Sequence, residues 1–411
     1  MKKILLVVVT TFSLVTYAQK FEGLAPTPPM GWNSWNTFQT NISEKLVREI
    51  TDDMIASGMK AAGYNYIVLD DGWMAKERNK NGDLVPDPAK FPNGLKMVID
   101  YVHSKGMKFG LYNCAGTQTC GGYPGSRGYE YQDARLYASL EVDYLKYDWC
   151  NTEGITAKEA YKTMSKALKV AGRPVVFSLC EWGDNQPWEW AKDIGHLWRI
   201  SGDIYNCFDC VFDHGSWKSW GVTYILDMRK NIRQYAGPNH WNDPDMMEVG
   251  HGMSVSEDRA HFSMWCMLAA PLIAGNDLRD MTKETIATLT DKEAIAINQD
   301  SLGIQAYLYQ QKDSVDTWIK PLANNDVVIC FLNRSKNPVT VNYDFNQSPI
   351  ADTVSKANIN FNTTTYSIRD VWMKKDIGDT KKVWTGIVQG HDVVMLRLSI
   401  AKTALKKKNQ K

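Results

Sequence analysis

Short apolar runs, each closed by a polar residue and separated by stretches of helical spacing, set the rhythm of the first three quarters of the chain. Tyr66-Ile-Val-Leu69 runs straight into Asp70-Asp71-Gly72-Trp73, Lys108-Phe-Gly-Leu-Tyr112 follows, and Pro174-Val-Val-Phe-Ser-Leu179 ends at Cys180-Glu181-Trp182. Leu197-Trp-Arg-Ile200 ends in Ser201-Gly202-Asp203, and the stretches from His240 to Asp245 and from Leu272 to Asp277 repeat the form. Between them Leu46, Val47, Ile50 and Met54 share one helical face behind a capping Ser43, with Gly58 as the stop. Leu95, Val98, Ile99 and Val102 do the same after Phe91-Pro-Asn-Gly94, and helices are expected over 130–140 and 157–170. With the segments at Met30 and Tyr144, eight strand candidates separated by helices span about 280 residues. Alternation of this kind predicts a parallel α/β sheet, and eight repeats predict a (β/α)8 TIM barrel over residues 26–302. An open doubly wound sheet is the alternative, but its glycine-rich phosphate turn after the first strand is missing.

From about Gly303 the helical period stops. Short β-rich runs take over at 305–309, 317–319, 326–333, 339–343, 366–370, 382–387 and 392–398, separated by turn residues such as Asn324-Asn325. This predicts a C-terminal antiparallel β-sandwich over 303–402, followed by a solvated basic tail at 403–411. With no carboxylate or histidine cluster and no linker before it, the sandwich is expected to serve packing and stability, docked tightly on the barrel.

The polar residues keep the phase of the strands. Asp70 and Asp71, Tyr112, Lys146 and Asp148, Glu181, Arg199 and Asp203, and Asp243 and Asp245 stand at the C-terminal ends of successive strand candidates. In a barrel those ends converge on one mouth, where active sites are built. Tyr144-Leu-Lys-Tyr-Asp148 places Lys146 and Asp148 two residues apart, so both project from one face of the strand. Taken alone the pair reads as a structural salt bridge. Its phase with the other strand ends makes Asp148 an active-site carboxylate.

A formal net charge of +1 gives no electrostatic case for nucleic acid or an acidic membrane surface. Lys2 and Lys3, the run Ile4-Leu-Leu-Val-Val-Val9, and Thr16 and Ala18 before a cut at Gln19 predict a signal peptide over 1–18. The apolar run is too short for a membrane span. Export follows, to the periplasm or the exterior. Among the eight cysteines only Cys207 and Cys210 are close, without a second such pair or paired histidines at zinc spacing, so no metal site is expected.

A mouth rich in carboxylates, cations and tryptophan suits carbohydrate: charged groups bond hydroxyls and an indole covers the apolar ring face. Glycoside hydrolysis needs two carboxyls flanking the scissile bond, and these residues offer six or more without selecting a pair. Lys146 should keep Asp148 ionised, as a nucleophile requires. Asp203 follows Ser201-Gly202, a flexible turn from which an acid can reach a leaving oxygen. Arg199 in the same segment favours the ionised form, the opposite of what a proton donor needs, and both readings stand.

Seven motifs in order carry a resemblance: Gly31-Trp-Asn-Ser-Trp35, Leu69-Asp-Asp-Gly-Trp73, Phe91-Pro-Asn-Gly94, Tyr144-Leu-Lys-Tyr-Asp148, Leu179-Cys-Glu-Trp-Gly183, Trp198-Arg-Ile-Ser-Gly-Asp203 and Trp241-Asn-Asp-Pro-Asp245. Together they resemble the family-27 glycoside hydrolases, the melibiase-type α-galactosidases, from about Pro29 to Asp300. The resemblance implies a retaining enzyme without metal or cofactor, acting on an α-galactoside, with Asp148 as nucleophile and Asp203 as general acid/base. It implies sugar contacts from Asp70, Asp71, Tyr112, Lys146 and Arg199, with Trp32 packing nearby, Cys180 and Trp182 near the 2-hydroxyl and Asp243 as a further pocket position. Glu181 and the bulky Trp182 favour galactose over N-acetylgalactosamine, and an unaltered Asp71 favours it over β-L-arabinopyranose. A non-catalytic sugar-binding protein would lack one of the two catalytic carboxyls, and both are present. The resemblance also pairs Cys120 with Cys150. Cys207 and Cys210 depart from the family pattern, and whether they form a short disulfide in the loop after the acid/base stays open, while Cys114, Cys266 and Cys330 read as buried, inert thiols. None of these residues specifies an oligomeric state.

Overall fold

In the computed structural model, residues 20–228 and 230–401 are described; the predicted signal peptide and basic tail lie outside them. Eight parallel strands form one curled sheet: β1 (Met30–Asn33), β2 (Tyr66–Val68), β3 (Lys108–Cys114), β4 (Tyr144–Asp148), β5 (Val176–Cys180), β6 (Leu197–Arg199), β7 (Trp241–Asp243) and β8 (Leu272–Ala274). Neighbours run in chain order from β1 to β7, and β8 pairs with β1. The residues just after β7 close the ring, Met247 N donating to Ile273 O at 2.7 Å and Gly275 N to Met247 O at 2.9 Å.

The helices form where the periodicity places them. Ser43 caps the helix Glu44–Ala56 by accepting from Leu46 N at 3.2 Å, and Leu46, Val47, Ile50 and Met54 are buried. Each such side chain contributes roughly 1.5–3 kcal/mol by leaving water, so one charged substitution at Ile50 would undo the docking of this helix. Leu95, Val98, Ile99 and Val102 play the same part in the helix Leu95–Ser104. One crossover departs from the expected rhythm. Between β5 and β6 there is only a 3-10 turn, Pro187–Glu189, in a stretch crowded with proline and tryptophan. Between β6 and β7 the chain also makes a small hairpin, Val211–Asp213 with Lys218–Trp220, which no apolar period announces.

The C-terminal domain is a six-stranded antiparallel sheet in the order β9 (Tyr307–Lys312), β10 (Val315–Pro321), β11 (Val327–Asn333), β16 (Val393–Ile400), β13 (Tyr366–Asp370) and β14 (Lys375–Asp379). The pair β12 (Val339–Tyr343) and β15 (Trp384–Val388) lies across from it, with Phe331 stacked on Trp384 at 4.9 Å. The sequence did not announce β14, because Lys-Asp-Ile-Gly-Asp is a charged edge strand with no apolar run. Strand β11 is apolar from Val327 to Leu332 because both its faces are covered. Val327, Ile329 and Phe331 point into the sandwich, while Val328, Cys330 and Leu332 join the barrel core. At the same boundary Lys320 is buried and donates to Cys266 O at 2.8 Å and Ile297 O at 2.7 Å, near the C-terminal ends of two barrel helices. Among the described residues no helix is long and apolar enough to cross a membrane.

Candidate active site

Strand register sets the levels of the mouth. Tyr112 lies beside Lys146, and one pleat further out Cys114, Asp148 and Cys180 stand side by side across β3, β4 and β5. A narrow pocket opens above them, walled by Asp70, Asp71, Tyr112, Lys146, Asp148, Trp182, Arg199 and Asp203. Residues from five strand ends thus meet in one cleft.

On one side Lys146 Nζ donates to Asp70 Oδ2 at 2.7 Å, and the same oxygen accepts from Asn33 Nδ2 at 2.8 Å. This changes the electrostatic expectation for Asp148, because the cation two residues away is spent on Asp70. Asp148 is buried, with its Oδ1 accepting from Trp149 N at 2.9 Å. Burial pushes its carboxyl up to about 6; Lys146 opposes that rise, while Asp203 and Asp70 add to it. Asp71 is fixed by the backbone, its Oδ2 accepting from Gly121 N at 2.7 Å and its Oδ1 from Gly72 N at 2.8 Å. A Cβ at Gly121 would sit 2.8 Å from that Asp71 oxygen, so only glycine allows this approach. The Tyr112 hydroxyl reaches Cys120 Sγ at 3.3 Å, and its ring lies 5.3 Å from the Lys146 ammonium.

On the other side the buried Arg199 guanidinium is shared, at 3.0 Å from Asp203 Oδ1 and 2.9 Å from Asp245 Oδ2. Asp245 is held further by Ile204 N at 2.9 Å and has left-handed backbone, φ +89°. Asp203 keeps 38% of its side chain exposed, against 3% for Arg199, and is the solvent-facing end of this pair. Trp182 also has left-handed backbone, φ +59°, a conformation costing about 1–3 kcal/mol in a bulky residue. That turn is what lets its side chain line the pocket.

Four residues expected at the sugar lie elsewhere. Trp32 is fully buried, its indole donating to Asn276 O at 2.8 Å, and Trp35 from the same motif lines the pocket instead. Glu181 is fully buried away from the pocket, its Oε2 accepting from Asn185 N at 2.6 Å and Asn185 Nδ2 at 2.8 Å; burial pushes it up to about 7 although it does not face the cleft. Cys180 lies beneath Arg199, with Sγ 3.5 Å from Nη1. Asp243 supports Asp245 from behind, accepting its backbone N–H at 2.9 Å. Asn36, Cys120, Asp245 and Met246 line the pocket without having been singled out as sugar contacts. Asp245 was legible as a strand-end acid in the motif Trp241–Asp245; the others gave no signal beyond nearness to a motif.

Cys120 and Cys150 form a disulfide, and so do Cys207 and Cys210, whose state the sequence left open. Cys114, Cys180, Cys266 and Cys330 are free and buried. Two groups of metal-type ligands lie close together among the described residues. In Cys120–Asp148–Cys150 both sulfurs are spent in the disulfide, and in Asp100–His103–Glu141 the Lys96 ammonium already bonds both acids.

A closed barrel whose mouth collects buried carboxylates, two cations and tryptophan in one narrow cleft has the equipment of a glycoside hydrolase. The chain belongs to the alpha galactosidase A family, whose model matches residues 27–300, and residues 312–398 match that of the alpha galactosidase C-terminal beta sandwich domain. It is 54% identical to alpha-galactosidase A of Cellvibrio japonicus over 94% of this chain and 95% of that protein. An alpha-galactosidase of Cyamopsis tetragonoloba is 46% identical over 85% and 80% of the two chains. Among solved structures, alpha-galactosidase I from Mortierella vinacea superposes with a TM-score of 0.86 at 36% identity, covering 93% of this chain and 99% of that one. The Saccharomyces cerevisiae enzyme with raffinose gives 0.85 at 31% identity, over 94% and 100%.

Proposed function

We propose that this protein is a retaining exo-α-galactosidase that removes terminal α-D-galactosyl residues from oligosaccharides or galactomannan side chains. The observation that carries this reading is the pairing of Asp148 and Asp203 on one pocket, the first buried and the second half exposed toward the opening. Asp148 attacks the anomeric carbon and forms a glycosyl–enzyme ester as Asp203 gives its proton to the departing oxygen. Asp203 then takes a proton from water, which attacks the same carbon and releases Asp148. With its carboxyl near 6, Asp148 is mostly ionised at neutral pH, as the attack requires. Asp70, Asp71, Lys146 and Arg199 are fixed by one another or by backbone before substrate arrives, so they hold galactose hydroxyls without reorganising. Tyr112 and Trp182 supply the flat walls. No step asks for a metal or cofactor. The N-terminal charge and apolar pattern, with two disulfides in the fold, supports export.

Rates on the p-nitrophenyl glycosides of α-galactose, α-N-acetylgalactosamine and β-L-arabinopyranose test the substrate. α-Galactoside should lead by at least about tenfold, since each rival lacks or crowds a group this pocket holds. NMR of the first product decides the mechanism: α-galactose before mutarotation is expected, and β-galactose would rule out double displacement.

A further inference from the structure

Residues 203–210 run from the proposed acid to the second cysteine of the Cys207–Cys210 disulfide without entering a helix or strand. Neighbouring elements fix this segment instead. At its near end Trp220 N donates to Asp203 O at 3.0 Å and Tyr205 N to Trp220 O at 2.9 Å. The Tyr205 ring also stacks on Phe212 of the hairpin, with centroids 4.5 Å apart and 12° between planes. At its far end Val222 N donates to Cys207 O at 3.1 Å and Thr223 N to Phe208 O at 3.0 Å, so the disulfide loop sits on the start of the helix Val222–Met228.

Phe208, between the two cysteines, is 3% exposed and meets the C-terminal sandwich. Its ring stacks on His391, in the turn before β16, with centroids 4.5 Å apart and 26° between planes. His391 has left-handed backbone, φ +50°, which a residue with a side chain keeps only where its surroundings hold it. Its backbone N–H donates to Ser335 O at 2.9 Å, within the sandwich. Its Nδ1 is hydrogen-bonded with Glu257 Oε1 at 2.8 Å, across the domain boundary. Glu257 Oε2 accepts from Ser254 N and Oγ, both at 2.9 Å, in the capping box of the barrel helix Val255–Met267. The imidazole under Phe208 is therefore anchored in both domains before substrate arrives.

A general acid works only within hydrogen-bond reach of the leaving oxygen. A displacement of about 1 Å from that point, even one caused from far away, can cost about 10²-fold. Asp203 is a partly exposed side chain beyond a glycine turn, so its placement depends on how the segment behind it is held. We propose that His391 is a positioning residue for the general acid, acting through the Phe208 stack and the disulfide loop to keep Asp203 aimed at the leaving oxygen. The inference rests on the reading of Asp203 as that acid, and it gives the sandwich a part in the reaction itself.

The test measures kcat/KM, which stops at the glycosylation step, on melibiose and on a dinitrophenyl α-galactoside. His391→Ala should lower the melibiose value about tenfold and leave the dinitrophenyl value within about twofold, because only melibiose needs a well-placed proton. His391→Phe keeps a ring under Phe208 without the Glu257 bond, and should bring melibiose back to within about threefold of wild type. An equal loss on both substrates in His391→Ala would make the contact one of general stability and overturn the inference. So would an unchanged melibiose value, or a His391→Phe variant as impaired as His391→Ala. Wild-type inactivity on both substrates would instead overturn the α-galactosidase reading, and equal losses in Asp203→Ala the acid assignment, each taking the inference with it.

Discussion

Lys146 Nζ lies 2.7 Å from Asp70 Oδ2, two strands away, rather than on Asp148 of its own strand. Both partners are largely shielded from solvent, so each is the other's means of staying charged in the barrel mouth. Lys146→Met should therefore cost about 3–5 kcal/mol in urea denaturation, because it strands the Asp70 carboxylate. Adding Asp70→Asn should recover a good part of that stability without restoring turnover. A single-mutant loss below about 1 kcal/mol would mean that Asn33 alone satisfies Asp70.

Activity should fall on the acid side near pH 6. Asp148 acts in its ionised form, and burial raises its carboxyl from 3.8 to about 6, so kcat/KM should drop about tenfold per pH unit below that point. In the Lys146→Met variant the opposing cation is gone and any residual acid limb should move to higher pH. An acid limb near pH 4 in the wild type would refute the electrostatic account.

The same shift has a cost in stability. Between pH 3.8 and about 6 the folded protein holds the Asp148 proton more tightly than the unfolded chain does, so stability falls as pH rises through that window. Asp148→Asn should then be more stable than wild type at pH 7 by about 1–3 kcal/mol, and inactive. Calorimetry at pH 4 and pH 7 checks this, since the advantage should vanish at the lower pH.

Asp203→Ala should lose about 10²–10⁴-fold on melibiose and far less on a dinitrophenyl galactoside, whose leaving group needs no proton. Equal losses on both substrates would remove proton donation from its role.

The disulfide Cys120–Cys150 spans 30 residues and ties the loop after β3 to the loop after β4. Replacing both cysteines by serine should cost about 3 kcal/mol in chemical denaturation and loosen the Tyr112 hydroxyl from its partner. An unchanged denaturation midpoint would show that the loops are held by packing alone.

The barrel was legible because its strands are short apolar runs that end in charge, and closure follows from counting them. The site was legible to the same depth: Asp70, Asp71, Tyr112, Lys146, Asp148, Arg199 and Asp203 sit on or within a few residues of strands, where direction follows from the pleat. One step further out the reading weakens. Glu181 and Trp182 are adjacent in sequence, yet a left-handed turn at Trp182 and capture of Glu181 by Asn185 put Trp182 on the pocket and bury Glu181 away from it. Trp32 is buried inside β1 and Trp35, for which no role was expected, reaches the pocket because the strand ends at Asn33 between them. Lys146 has carboxylates on two elements to choose from, and only the three-dimensional arrangement decides that it meets Asp70. The hairpin at 211–220 is held by stacked rings and a short disulfide, neither of which has a period.

Because β11 gives one face to each core, the chain has no seam along which to be divided. A fragment ending before β9 would lose Val328, Cys330, Leu332 and Met395 from the core the sandwich shares with the barrel domain, and would leave the carbonyls of Cys266 and Ile297 without the Lys320 ammonium. The sandwich is thus a buttress that the catalytic half cannot shed, and heating should melt the two together as one cooperative unit. Engineering that seeks a smaller enzyme has to shorten surface loops and keep the whole architecture.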